Sequence, residues 1–152
     1  GKEIGKDTDF PESLGVIIES PGFLTNMTGF RNLEILADMN RRITAAQIRL
    51  VLKKVGLDPD LKKAVAKYSL GMRQRLGIAQ AIMEDPDLLI LDEPFNGLDK
   101  HGVEEIRKIL LELKKEGKSI LLASHNAEDI RILCDRVFEM DGGILRERGT
   151  AQ

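Results

Sequence analysis

Residues 88–94 read LLILDEP: four aliphatic side chains run directly into two adjacent carboxylates and a proline. This stretch restricts the fold more than any other. A run that is apolar at every position, rather than at alternate ones, is a strand covered on both faces. Such strands belong to parallel sheets with helices packed against them. Charge at the end of a buried strand is costly unless something compensates it. The pair Asp92-Glu93 therefore asks for a metal ion, a ligand or a partner at the strand tip.

The rest of the chain fits such a sheet. GVIIE (15–19) is a short aliphatic run stopped by SPG and predicts a first buried strand. FRNLEILADMN (30–40) and TAAQIRLVLKKVG (44–56) carry helical periodicity. In the second, Thr44 is placed to cap the start, Ile48, Val51, Leu52 and Val55 form one stripe, and Gly56 suits the position just past the end. DPDLKKAVAKYS (58–69) is polar and carries no clear period. A third helix is predicted from Leu70 to Glu84, with Ser69 as its cap and Met72, Leu76, Ala79 and Met83 on one face. VEEIRKILLELKKEG (103–117) is a fourth helix, SILLASH (119–125) another buried strand, and NAEDIRILCD (126–135) a short helix. RVFEMDGGILRER (136–148) reads as a hairpin turning at Asp141-Gly142-Gly143. Strands alternating with helices, with extra helices after the first strand, predict an α/β fold: a parallel sheet plus a helical subdomain.

Composition closes off other classes. With 152 residues, 42% hydrophobic and 32% charged, the chain can bury a core and is not of the disordered type. A formal net charge of -2 gives no global attraction to nucleic acid or to an anionic membrane surface. One cysteine, Cys134, excludes an internal disulfide and a cysteine-rich zinc site and fits a reducing compartment. No apolar run approaches the ~20 residues needed to span a bilayer. The opening GKEIGKDTDF has no methionine and begins in mid-pattern, which leads to the expectation of a fragment.

Five features carry chemistry, and each also has a plain structural reading. Asp92-Glu93 could simply end a strand in a solvated loop. Alternatively, Asp92 holds Mg²⁺ through water and Glu93 orients or deprotonates an attacking water, the two tasks that phosphoryl transfer asks of carboxylates. KYSLGMRQRLGIAQA (67–81) could be only a capped amphipathic helix. Yet Ser69, Leu70 and Gly71 sit where a helix begins, and free N–H groups, a hydroxyl and an approachable glycine there make an anion site. Arg73 and Arg75 in the first turn oppose the helix dipole, a conflict that a phosphate would offset. His125 ends a buried strand on the sheet edge where ligands usually bind, which makes it a candidate phosphate sensor. FNGLD (95–99) contains an Asn96-Gly97 turn signal, and Glu19 ends the first strand on that same edge.

The order and spacing of these features resemble the ATP-binding cassette (ABC) ATPase family, over nearly all of the chain. LLILDEP is similar to the Walker B motif with its glutamate, YSLGM-RQR to the signature motif, FNGLD to the D-loop, and SH at His125 to the H-loop. IIESPGF (17–23) is similar to the Q-loop region, with Glu19 where the family usually has glutamine. The usual signature is LSGGQ; here it is Tyr68-Ser69-Leu70-Gly71-Met72, which keeps the serine and second glycine. YSLGM together with a Q-loop glutamate is most similar to ATPase subunits of peptide-antibiotic transporters, of the lantibiotic-immunity and bacitracin-resistance type of Gram-positive bacteria. The lack of a TEVGERG-like segment before the signature argues against the large single-chain exporters.

The resemblance implies a P-loop NTPase core (residues 1–24 and 86–152) with an inserted helical signature subdomain (about 25–85). It implies Glu93 and His125 as catalytic groups, Ser69, Leu70, Gly71, Met72 and Asp99 at the nucleotide, and Asp92 and Glu19 at an indirectly held Mg²⁺. ATP and Mg²⁺ are the implied cofactors. A second nucleotide-binding domain, paired head to tail, and a transmembrane permease contacted by residues 20–40 are the implied partners, at the cytoplasmic face of a bacterial membrane. The alternatives are a soluble ABC ATPase of the translation or DNA-repair type, whose tandem cassettes or long coiled coils are not visible, and a non-enzymatic interaction module.

One part of the pattern is missing. A phosphate loop reads GxxxxGK[ST] between a strand and a helix. The one GKS, Gly117-Lys118-Ser119, has Glu112 five positions before the glycine and lies after a helix and before a strand, the reverse order. In the family, the Walker A loop and the adenine-stacking aromatic precede the Q-loop by some tens of residues, upstream of Gly1. Without the backbone nest and lysine that grip the phosphates, the chain alone is expected to bind ATP poorly and not to hydrolyse it. The family's Walker A strand lies between the SILLASH strand and the strand at Arg136–Met140. Its absence, with that of the antiparallel subdomain, predicts a gap repaired by strand exchange, by direct closure, or by partial disorder of residues 136–152.

Overall fold

The computed structural model describes residues 6, 11, 13–18 and 22–150. Among these residues five strands and five α-helices follow one another as β1 (Leu14–Ile17), α1 (Gly29–Asn40), α2 (Ala45–Lys54), α3 (Leu70–Ile82), β2 (Leu88–Asp92), α4 (Lys100–Lys115), β3 (Ser119–Ala123), α5 (Ala127–Leu133), β4 (Arg136–Asp141) and β5 (Ile144–Thr150). Strands β1, β2 and β3 form a parallel sheet in that order, with Leu14 opposite Leu88 and Leu88 opposite Ser119. β4 and β5 form a separate antiparallel hairpin.

The helices begin where side chains satisfy their first N–H groups. Thr28 accepts from Arg31 N, Ser69 Oγ from Met72 N at 3.2 Å, and Asp99 Oδ1 from Gly102 N at 2.9 Å. Thr44 and Gln47 form a reciprocal capping box at α2. Because Asp99 supplies the cap, α4 starts at Lys100, three residues before the apolar stripe that predicts it.

One continuous core joins the helical insertion to the sheet. Leu33, Ile48, Leu52 and Val55 of α1–α2, Leu76 and Ile78 of α3, Leu89 and Leu91 of β2, and Ile106 and Leu110 of α4 are all essentially inaccessible to solvent. α3 lies against β1 so closely that a Cβ at Gly15 would stand 2.0 Å from the carbonyl oxygen of Ala81. The segment entering α1 is clipped to the segment entering α3. Ala66 N donates to Thr25 O, Val65 N to Met27 O (both 2.8 Å), and Gly29 N to the buried Tyr68 hydroxyl at 3.2 Å. The buried Asn32 closes the near side of that clip through Leu24 and Thr28. The polar segment 58–69 is thus a turn and a short 3-10 helix (Val65–Lys67) leading into Ser69.

Two sequence expectations are corrected. SILLASH is not a buried strand: Leu121 is 62% exposed, because β3 is paired with β2 on one side and with nothing described on the other. Residues Arg136–Thr150 form an antiparallel hairpin, with one register shift between Val137 and Phe138, rather than a disordered tail, and β4 does not close onto β3. A groove of about 880 Å³ stands open between them, lined by Leu110, Leu121, Leu133, Val137 and Phe138. That open groove counts against repair of the sheet within this chain. α5 beside it is tied to α4 by Arg107 Nε to Asp129 (2.7 Å) and by Lys114 Nζ to Leu133 O (3.0 Å) and Asp135 (2.7 Å). The expected hairpin turn is present: Gly142 and Gly143 both have positive φ, 53° and 79°, as a two-residue turn of this kind demands.

Candidate functional site

Because the three sheet strands are parallel, their C-terminal ends share one edge. Asp92 and Glu93 leave β2 there, and Ser124-His125 leave β3 beside them. The ladder continues one step past β2, with Glu93 N donating to Ala123 O at 2.9 Å. Glu93 then turns with φ of +45°, a left-handed conformation that non-glycine residues seldom adopt. Its Oε1 accepts from His125 N at 3.0 Å and lies 2.7 Å from His125 Nδ1. The imidazole is itself exposed. Its pKa is raised above the ordinary value, first by the hydrogen bond to Glu93 and then by that carboxylate's charge. The two catalytic candidates named from sequence are therefore in direct contact.

The signature stretch and the FNGLD turn meet next to this pair. A Cβ at Gly71 would lie 2.8 Å from Gly97 O, and a Cβ at Gly97 would lie 2.3 Å from Leu70 Cγ. Gly97 has φ of +76°, so glycine there serves both the backbone and the close approach. Ser69 and Leu70 are exposed, and Met72 is half-buried against the core. Asp99 is exposed, its carboxylate capping α4.

The two arginines of the first turn do not need a phosphate. Arg75 donates to Val55 O at 2.6 Å and to Glu105 Oε2 at 2.7 Å, and Arg73 donates to Ala66 O at 3.3 Å. Their guanidinium groups are long enough to leave the helix N-terminus and find protein acceptors. The charge conflict read from the sequence is resolved inside the chain.

Among the described residues no group of three or more His, Cys, Asp or Glu side chains could hold a metal ion. Asp92 stands at the strand tip, half-exposed. A single carboxylate fits Mg²⁺ that arrives with phosphate oxygens and water, and does not fit an all-protein cage. Glu19 lies outside the described residues. Sequence reasoning missed Gln74, whose buried amide donates to the Glu93 carbonyl; its signal is a glutamine on a helix face otherwise built of Gly77, Ile78 and Ala81.

The three-stranded parallel sheet with helices inserted after its first strand is the architecture of an ATP-binding cassette. It is similar to the dimeric structure of MJ0796, a bacterial ABC transporter cassette, with a TM-score of 0.81 over 92% of this chain and 63% of that one, at 20% identity. A post-hydrolysis dimer of the same cassette, bound to ADP and Pi, gives a TM-score of 0.83 over 96% and 70%, at 19% identity. The chain belongs to the ABC transporter family, whose profile matches residues 1–96. It is 45% identical over 145 residues to the uncharacterized ABC transporter ATP-binding protein YybJ of Bacillus subtilis, covering 95% of this chain and 66% of that protein. It is 47% identical over 135 residues to the bacitracin transport ATP-binding protein BcrA of Enterococcus faecalis, covering 88% and 44%. It is 40% identical over 136 residues to the lantibiotic transport ATP-binding protein SrtF of Streptococcus pyogenes, covering 89% and 59%. The chain thus spans between 44% and 66% of the length of these relatives. No helix among the described residues is long and apolar enough to cross a membrane.

Proposed function

We propose that this chain is part of the ATP-binding subunit of an ABC exporter, coupling ATP hydrolysis to export of a substrate of the peptide-antibiotic class. The observation that carries the reading is the contact of Glu93 with the backbone N–H and the ring Nδ1 of His125 at the C-terminal edge of the parallel sheet. Support for the substrate class comes from the relatives named for bacitracin and lantibiotic transport.

In this reading Glu93 takes the proton of the attacking water, and its carboxylate is aimed by the His125 N–H and ring. A positioned base of this kind contributes about 10²–10⁴-fold in rate. His125, held against Glu93, faces the γ-phosphate and senses it. Ser69, Leu70, Gly71 and Met72 present the N-terminus of α3 to the γ-phosphate bound by a second, head-to-tail cassette, and Asp99 lies at the same junction. Mg²⁺ bound with the nucleotide would neutralise phosphate charge, and Asp92 is the residue that would hold it through water. Glu19 would add a second acid near it. Residues 25–85 act as the signature subdomain and the remainder as the nucleotide-binding core, with residues 20–40 meeting the permease at the cytoplasmic membrane face.

The test is steady-state ATP hydrolysis by the intact protein with Glu93→Gln. Turnover is expected to fall at least ~100-fold; near-normal turnover would sink the assignment of the base. The 152-residue chain alone is expected to bind ATP more weakly than micromolar, and a micromolar affinity measured by calorimetry would overturn that.

A further inference from the structure

Helix α3 is buried on most of its surface, and one of its buried side chains is polar. Gln74 is 6% exposed, on a helix whose Leu76, Ile78 and Ala79 are all at 0%. An amide taken out of water needs partners. Gln74 Nε2 donates to the carbonyl oxygen of Glu93 at 3.4 Å, across 19 positions of sequence. The same carbonyl accepts Asn96 N at 3.2 Å, and Glu93 N donates to Ala123 O at 2.9 Å.

These bonds surround a residue in a strained state. Glu93 has φ of +45°, and such a backbone persists only where its surroundings over-determine it. The β-ladder fixes its N–H side; the FNGLD turn and Gln74 fix its carbonyl side. A return of Glu93 to negative φ turns the residue about its N–Cα bond, which would carry its carbonyl away from Gln74 and Asn96 and its side chain away from His125. Gln74 is the one of these partners that does not belong to the sheet edge or its own turn. It comes from α3, five residues after Ser69, on the helix whose first turn touches Gly97.

We propose that Gln74 is a positioning residue for Glu93: by holding its carbonyl it maintains the left-handed backbone that presents the carboxylate to His125. It thereby ties the orientation of α3 to the geometry of the acid. Its consequence for hydrolysis rests on the reading of Glu93 as the base; the conformational claim stands apart from that reading.

The experiment uses Gln74→Met, which keeps length and volume and removes the donor, and Gln74→Glu, which keeps a polar group and also lacks the N–H. In the 152-residue chain, NMR backbone shifts and scalar couplings report φ at Glu93, and amide hydrogen exchange reports the His125 N–H. Both variants are expected to move Glu93 out of the left-handed region and to expose the His125 N–H, with the amides of α3 unchanged. Unchanged couplings at Glu93 in a folded variant overturn the proposal whatever the activity. In the intact protein kcat for ATP is expected to fall about 10–100-fold with KM within twofold, and Gln74→His, which can restore an N–H donor, to recover part of it. A rise in KM with kcat unchanged also overturns it. Failure of the base assignment shows separately, as undiminished turnover in Glu93→Gln.

Discussion

A single carboxylate oxygen of Glu93 receives both the backbone N–H of His125, at 3.0 Å, and faces its ring Nδ1, at 2.7 Å. The pair closes the C-terminal edge of the sheet between β2 and β3 and gives the site a pH dependence of known sign. The hydrogen bond to Glu93, and then its charge, raise the His125 pKa from its ordinary 6.5. A group whose folded pKa is raised adds stability that is complete below the unfolded value and is lost as pH rises through the folded value. An NMR titration is expected to show the His125 ring titrating above 6.5 and, in Glu93→Gln, returning toward it. The slope of unfolding free energy against pH in that window should flatten in the same variant.

Arg75 is the bond between three helices. It leaves α3, passes between Gly56 and Gly102, and ends on Val55 O and Glu105. Arg75→Ala removes two charge-assisted hydrogen bonds at a site only 15% exposed. Urea unfolding is expected to show a loss of about 2 kcal/mol. Arg75→Lys should recover only part, since an ammonium cannot span both acceptors.

Gly15 admits no side chain. A Cβ would meet Ala81 O at 2.0 Å and Leu89 Cδ2 at 2.7 Å, and the first of these is backbone that cannot rotate away. Gly15→Ala is expected to cost about 3 kcal/mol or to prevent folding. Leu50→Ala, at a position 66% exposed, should stay within ~0.5 kcal/mol in the same assay.

Among the described residues β3 has no strand partner on its outer side. It carries Leu121, 62% exposed, opposite Phe138 and Met140 across the groove. Unpaired apolar edges recruit other chains. Leu121→Lys is expected to raise the monomer fraction in sedimentation velocity without lowering the unfolding midpoint; equal self-association in both proteins would show that the edge is not responsible.

The helices were legible because their signals are local. Thr44, Ser69 and Gly56 announce their ends within a few residues, and the stripe of α4 repeats often enough to leave no rival. The Gly142-Gly143 turn is equally local. The contact between Glu93 and His125 was legible only as a shared edge, since each ends a strand of one parallel sheet. The exposure of β3 was not, because SILLA has the composition of a covered strand and only tertiary context decides what covers it. Arg75 misled for a related reason: its place in the helix says where the charge starts, and its long side chain decides where the charge ends. Gln74 offered a weak signal, one amide in an apolar face, whose meaning depended on a residue 19 positions away.

The clip between Thr25–Met27 and Val65–Ala66 has a mechanical consequence. Gly29 comes four positions after Thr25, and Ser69 three positions after Ala66, so both helix entrances are anchored to one short piece of paired backbone. Displacing the backbone between Leu24 and Met27 would therefore strain the hydrogen bonds that hold the segment leading into Ser69.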